Sequence, residues 1–290
     1  MPAFETQQSA ILEKRQTIIR KYPDIWNKMV REWKSSGDGC RAWLMYSASY
    51  LFRTNTILWA MDPLTLRQRV PESPNVNVSA DLADLSFVIL THRHEDHLDL
   101  NLIRQLRDHP IQWIVPMDLV PDLKETGIPA GRILIAEAFQ EITIQGIRVI
   151  PFPGLHLHSE PKGKQHGVPS MGYWIELDGH RWLFPGDTRR YDTPLLSLFD
   201  GVDGLFAHLW LGRSQALVES PALLDPFCRF LSSFEAKKVI LAHLEEWGRD
   251  ANDFWDVRHV DMVREHLKQL APSLEICPVW MGDSVSLAVE

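Results

Sequence analysis

Apolar residues recur along this chain at two spacings, and the alternation between them predicts an α/β protein. Residues 5 to 35 carry Ile11, Ile18 and Ile19, then, beyond Pro23-Asp24, Ile25, Trp26, Met29, Val30 and Trp33, at helical steps. Such a stripe packs either on the main domain or on a second subunit, so a homo-oligomer is compatible with it. Ser35-Ser36-Gly37-Asp38-Gly39 breaks the pattern and divides a helical extension, residues 1–38, from a main domain, residues 39–290. Strand signals follow: two between Arg41 and Asp62, then 87 to 90, 111 to 115, 132 to 136, 141 to 145 and 147 to 152. Segments 173 to 177 and 181 to 184 flank Asp178-Gly179 as a hairpin, and further strands are predicted within 204 to 211, at 238 to 242, 274 to 279 and 284 to 289. Helices are predicted after Asp99 and over 117 to 125, 221 to 234 and 253 to 270.

The candidate chemistry stands at the ends of these strands. Directly after the run 87 to 90 comes Thr91-His92-Arg93-His94-Glu95-Asp96-His97. Solvated loops rarely spend three histidines in six residues, and imidazole with carboxylate but no thiolate suits zinc, manganese, iron or nickel. Asp62 ends an apolar strand before Pro63. His156 and His158 lie two apart, so an extended chain points both the same way and one of them is a candidate ligand. Pro185-Gly186-Asp187-Thr188 follows the second hairpin arm, and His243 ends the strand 238 to 242. His208, inside an apolar run, reads first as a satisfied core histidine. His109, His166, His180, His259 and His266 read as surface residues. The Gly-, Pro- and Lys-rich stretch 159 to 171 reads as a loop over the site, a lid or a connector.

His-x-His-x-Asp-His at 92 to 97, Asp62-Pro63, Pro153-Gly154-Leu155-His156, Gly186-Asp187-Thr188 and the strand-end His243 together resemble the metallo-β-lactamase superfamily, in particular its ascorbate-6-phosphate lactonase-like branch. The resemblance spans about residues 41 to 290 and implies an αββα sandwich, two mixed β-sheets flanked by helices, with the metal site in a groove at one edge. It implies that His92, His94 and His156 hold one ion, that Asp96, His97 and His243 hold another, and that Asp187 bridges them. Asp62 then hydrogen-bonds behind the metal loop, and Asp96 also accepts a proton from the nucleophile; these two carboxylates are the catalytic candidates. Two divalent ions, zinc or manganese with iron as the alternative, about 3.5 to 4 Å apart lower the pKa of a shared water toward 7. The function implied is a metal-dependent hydrolase using that hydroxide on a small anionic ester or lactone. The alternatives are a phosphodiesterase of the same fold, or a mono-iron oxygenase or redox protein on the same ligands. No Gly-x-Ser-x-Gly elbow competes.

The anionic substrate rests on Arg189-Arg190 after Asp187, with Lys162 and Lys164 adding charge, against two arginines solvated or paired with acids such as Asp192. His158 and His208 complete the substrate-side candidates. Composition narrows the partners. A net charge of −8 argues against a surface that tracks long nucleic acid, which leaves a small-molecule substrate. Cys40, Cys228 and Cys277 are odd in number and far apart, so they read as free thiols in a reducing compartment. With no basic, apolar leader at the N-terminus and no apolar run of about 18 residues, a cytoplasmic protein without membrane contact is expected.

Overall fold

The computed structural model describes residues 2–35, 37, 39–159, 165–191 and 201–289. The chain begins with α1 (Pro2–Lys34), which runs through Pro23 without a break. It then lays down β1 (Cys40–Tyr46), β2 (Ser49–Thr54) and β3 (Ile57–Met61). Single turns α2 (Leu66–Arg69) and α3 (Val78–Asp81) lead to β4 (Phe87–Ile89), and α4 (Leu100–Leu106) to β5 (Gln112–Val115). Next come α5 (Val120–Glu125), β6 (Ile133–Ile135), β7 (Ile142–Ile144), β8 (Ile147–Pro153) and the short pair β9 (His158–Ser159) and β10 (Gln165–His166). The hairpin β11 (Met171–Leu177) and β12 (His180–Phe184) precedes β13 (Gly204–His208), α6 (Leu224–Ser232) and β14 (Lys238–Ala242). The helix α7 (Val257–Leu270) and strands β15 (Glu275–Pro278) and β16 (Ser284–Ser286) close the chain.

Besides the two-stranded pair β9-β10, two seven-stranded sheets result, in the orders β16-β1-β2-β3-β4-β5-β6 and β15-β14-β13-β12-β11-β8-β7. Both are mixed: β3 to β6 run parallel, as do β12 to β15, while the remaining neighbours are antiparallel. Strand periodicity sorts the side chains into layers. Leu44, Phe52, Trp59 and Phe87 of the first sheet meet Ile175, Trp182, Phe206 and Ile240 of the second in an inner core. The opposite faces, Trp43, Leu51 and Trp113 on one sheet and Leu183, Leu205 and Leu241 on the other, pack under helices. This is the αββα sandwich that the resemblance implies.

Two differences from the sequence reading, and one alternative that it left open, have simple causes. Between residues 41 and 62 there are three strands rather than two, because Ser47 and Asn55, both left-handed at φ 56° and 55°, turn the chain in too few residues to interrupt the apolar pattern. The stripe on α1 is covered by the main domain: Ile11, Tyr22, Trp26, Met29 and Trp33 join the outer core of the first sheet, and Trp33 Nε1 donates to the Phe52 carbonyl at 2.8 Å. His259 is buried, not a surface residue, because it completes a capping box with Asp256 at the start of α7 and its Nε2 meets the Ala216 carbonyl at 3.0 Å. His109 and His266 also have partners, Ser79 and Asp225. No helix among the described residues is long and apolar enough to cross a membrane.

Candidate metal centre

Parallel strands expose their carboxyl ends at one edge of each sheet, and that is where the polar residues gather. β4 delivers the loop 91 to 99, β12 delivers Asp187, β13 ends on His208 and β14 is followed by His243. Asp62, left-handed at φ 46°, follows β3 and is 1% exposed. Its Oδ1 accepts from the Thr91 backbone N–H at 2.7 Å, its Oδ2 accepts from the Thr91 hydroxyl, and His97 Nδ1 lies 2.8 Å from Oδ2. Thr91 Oγ1 is in turn 2.9 Å from His92 Nδ1. Asp62 thus accepts a hydrogen bond from His97 directly and holds His92 through Thr91, which turns Nε2 of both rings inward. It meets the site through His97 and Thr91, from behind the loop, as the resemblance implies.

The inward nitrogens converge. His92, His94, His156 and Asp187 offer ligand atoms within 4.8 Å of one another, and so do His97, Asp187, His208 and His243. Asp187 belongs to both groups, with Oδ1 at 2.9 Å from His208 Nδ1, 3.1 Å from His97 Nε2 and 3.2 Å from His243 Nε2. Nε2 of His92, of His97 and of His243 are buried without a hydrogen bond. Several buried imidazoles crowded on one carboxylate oxygen, with His92 Nε2 left unpartnered beside them, are an expensive arrangement, and a divalent cation satisfies all of them at once. The donor set fits a metal.

Charge separates the histidines. Burial holds His92 well below its ordinary pKa and His156 at about 3. It also brings His208 down to about 4, although Asp187 pulls the other way. These rings are neutral, as a ligand must be. His243 behaves oppositely: burial works against its charge, but Glu246 and then Asp187 outweigh that and push it up to about 9. His97 is raised well above the ordinary range against the effect of burial by Asp187 and Asp62.

Several residues escaped the sequence reading. Glu246, 4% exposed, accepts from the Ser47 hydroxyl through Oε1, which also lies 3.6 Å from His243 Nδ1, and pairs through Oε2 with Arg249 Nε at 2.7 Å. Arg249 reaches Asp96 Oδ2 at 2.7 Å. Asp96 consequently groups with His243 and Glu246 rather than with His97. His208 is no ordinary core histidine, since its Nδ1 donates to Asp187 at the centre of the site. The charged run Glu245-Glu246-Trp247-Gly248-Arg249 directly beyond a strand-end histidine was the available signal. Left-handed His243, φ 63°, and Glu245, φ 48°, turn this run back onto the site.

Of the two adjacent arginines Arg189 lines the cavity beside Asp187, while Arg190 is exposed and not among its lining residues. His156 is seated with the ligand group, under Gly167, where φ is +78° and a Cβ would collide with the His156 carbonyl. The side chain of His158 lies outside the described residues, as do Lys162, Lys164 and Asp192.

Comparison with known proteins agrees with the fold. A family profile described as "Beta-lactamase superfamily domain" matches residues 58–244. An N-acyl-phosphatidylethanolamine-hydrolyzing phospholipase D 1 of Caenorhabditis elegans is 31% identical over 117 residues, 37% of this chain and 33% of that protein, so the match spans about a third of its length. A metal-dependent hydrolase of Thermococcus onnurineus is 24% identical over 187 residues, 62% of this chain and 76% of its own. The structure of a diiron beta-hydroxylase from Streptomyces venezuelae superposes with a TM-score of 0.62 at 14% identity, covering 87% of this chain and 55% of that one, which speaks to fold alone. None of these names points to the lactonase branch. Profile, sheets and converging ligand atoms agree, and the chain belongs to the beta-lactamase superfamily, with the metallo-β-lactamase fold.

Proposed function

We propose that the protein is a metal-dependent hydrolase of a small anionic ester or lactone, working with two divalent ions, zinc or manganese. The observation that carries this is the convergence of the buried Nε2 atoms of His92, His97 and His243 around Asp187, those of His97 and His243 at 3.1 and 3.2 Å from its Oδ1 and that of His92 without a hydrogen bond. His92, His94 and His156 would hold one ion and His97 and His243 the other, with Asp187 between them; Asp96, which the resemblance adds to the second ion, stands with His243 and Glu246 and would have to turn from Arg249 to join His97. Ions held there supply Lewis-acid polarisation of a substrate oxygen and an activated water at neutral pH. The chain's own residues do the rest. Asp62 holds two rings in the ligating tautomer, and the Nδ1–H of His208 fixes the Asp187 carboxylate. Asp96 keeps Oδ2 on Arg249, which leaves Oδ1 as the basic atom for the nucleophile's proton.

A second reading is a phosphodiesterase. It is favoured by Arg189 and Arg249, two guanidinium groups beside the ligand cluster, and by the resemblance of part of the chain to a phospholipase D. One experiment tests both readings. Protein purified without chelator is analysed for metals, then assayed on matched lactones, carboxylic esters and phosphodiesters. Close to two zinc or manganese ions per chain and chelator-sensitive lactone or ester hydrolysis are expected. Preference for the phosphodiesters selects the second reading, and a fully active metal-free protein overturns both. Iron without hydrolysis returns the oxygenase.

A further inference from the structure

Among the residues around Asp187, His208 has no place in the ligand set that the resemblance implies. It owes its position to topology. β12, β13 and β14 are parallel neighbours, and each hands one side chain to the same edge: Asp187 beyond β12, His208 at the end of β13 and His243 just beyond β14, whose last residue Ala242 is in register with His208. The rings of His208 and His243 consequently stack, with centroids 4.8 Å apart and planes 29° from parallel. His208 Nδ1, His97 Nε2 and His243 Nε2 stand 2.9, 3.1 and 3.2 Å from one oxygen, Oδ1 of Asp187. Ligand atoms bonded at about 2.0 to 2.1 Å to a tetrahedral ion are about 3.3 Å from one another. The three edges that meet at Asp187 Oδ1 are close to that length, and ligand atoms of the four residues all lie within 4.8 Å of one another.

Asp96, which the resemblance supplies for this ion, is engaged elsewhere. Its Oδ2 meets Arg249 at 2.7 Å, Arg249 Nε meets Glu246 Oε2 at 2.7 Å, and Glu246 Oε1 accepts from the Ser47 hydroxyl. Asp96 and Glu246 are both buried. Turning Asp96 toward His97 would strip Arg249 of one of the two carboxylates that compensate it. His208 needs no such rearrangement. To ligate, it exchanges only a proton: the one that Nδ1 donates to Asp187 leaves, and Nε2 takes up another from solvent in the cavity that His208 lines with Trp210 and Arg249.

We propose that His208 Nδ1 ligates the second ion together with His97, His243 and Asp187, in the place that the resemblance gives to Asp96, which stays on Arg249. Three imidazoles around one shared carboxylate suit zinc better than manganese. The inference rests on the two-ion reading, and one zinc experiment separates the two. Zinc-loaded wild type, His208→Asn and Asp96→Asn are dialysed against graded concentrations of a competing chelator, and the zinc retained per chain is measured. Asparagine at 208 keeps an N–H to hold Asp187 but offers no imidazole, so a His208 that only positions Asp187 would leave the second zinc in place. The second zinc is expected to bind more than about 100-fold more weakly in His208→Asn, and less than about tenfold more weakly in Asp96→Asn. Retention of both ions by His208→Asn overturns the inference, and so does loss of an ion from Asp96→Asn. Because a variant can fail to fold, wild-type crystals grown with zinc are also mapped by anomalous scattering at the zinc edge. An ion at about 2.0 to 2.1 Å from His208 Nδ1 is expected. Two ions, one of them bound by Asp96 with His208 out of reach, overturn the inference and leave the two-ion reading intact. A single ion with His208 among its ligands does the reverse, and a chain that takes up no zinc overturns both.

Discussion

Asp187 stands at the centre of the site because three imidazoles reach one of its oxygens, while the same carboxylate also joins the group of His92, His94 and His156. A residue serving both groups should matter to both ions. Asp187→Ala is expected to lose most bound metal, whereas His158→Ala should lose little; elemental analysis of the two variants gives the answer, and equal losses would mean that Asp187 does not bridge or that His158 is a ligand. Asp62 was readable as a strand-end carboxylate before proline, and its place behind the loop was what the resemblance implied. Its two-ring grip on His92 and His97 was not readable, since the relay through Thr91 depends on hydroxyl orientation.

At the scale of elements, α1 roofs the first sheet, with Tyr22, Trp26, Met29 and Trp33 almost without exposure. Its influence extends toward the site: the Gln8 side chain accepts from the Ala251 backbone N–H at 2.8 Å, two residues beyond Arg249. Trp33→Ala removes a large buried ring together with its hydrogen bond to β2, and should destabilise the protein by about 3 to 5 kcal/mol in a urea melt. A change below about 1 kcal/mol would mean that the helix is only loosely attached. By sequence motif residues 1–38 read as an extension, but the apolar face of α1 within them is part of the core by packing. The helix was legible from its stripe. What the stripe faces was not, because any apolar surface satisfies an amphipathic helix.

Across the whole molecule, protons and metal compete for the same nitrogens. In the metal-free protein His243 is raised to about 9 and His97 is raised well above its ordinary value, so both are charged at neutral pH. A raised pKa contributes stability to the metal-free state that is full below the unfolded value of about 6.5 and is lost as pH rises through about 9. Ligation requires the neutral rings, so metal uptake near pH 7.5 should expel protons, and affinity should climb with pH up to about 9. Calorimetry in buffers of different ionisation enthalpy measures the release. Glu246→Gln, which removes the largest charge raising His243, should diminish it; uptake with no proton release in the wild type would contradict this account of the site.

The sequence by itself determined the local features: strand and helix periods, the turn at Asp178-Gly179, and a loop that packs His92, His94, Asp96 and His97 into six residues. These are legible because contiguous residues must share a place. The resemblance then joined Asp187 and His243 to the loop by motif order. Only the tertiary structure paired Ser47 with Glu246 across 199 positions and Asp96 with Arg249 across 153, and seated His208 against Asp187. Beyond the charged run 245 to 249, nothing local says which partners those side chains meet. They become a site because two sheets bring the carboxyl ends of their parallel strands to one edge, where burial removes the water that would otherwise satisfy each charge alone.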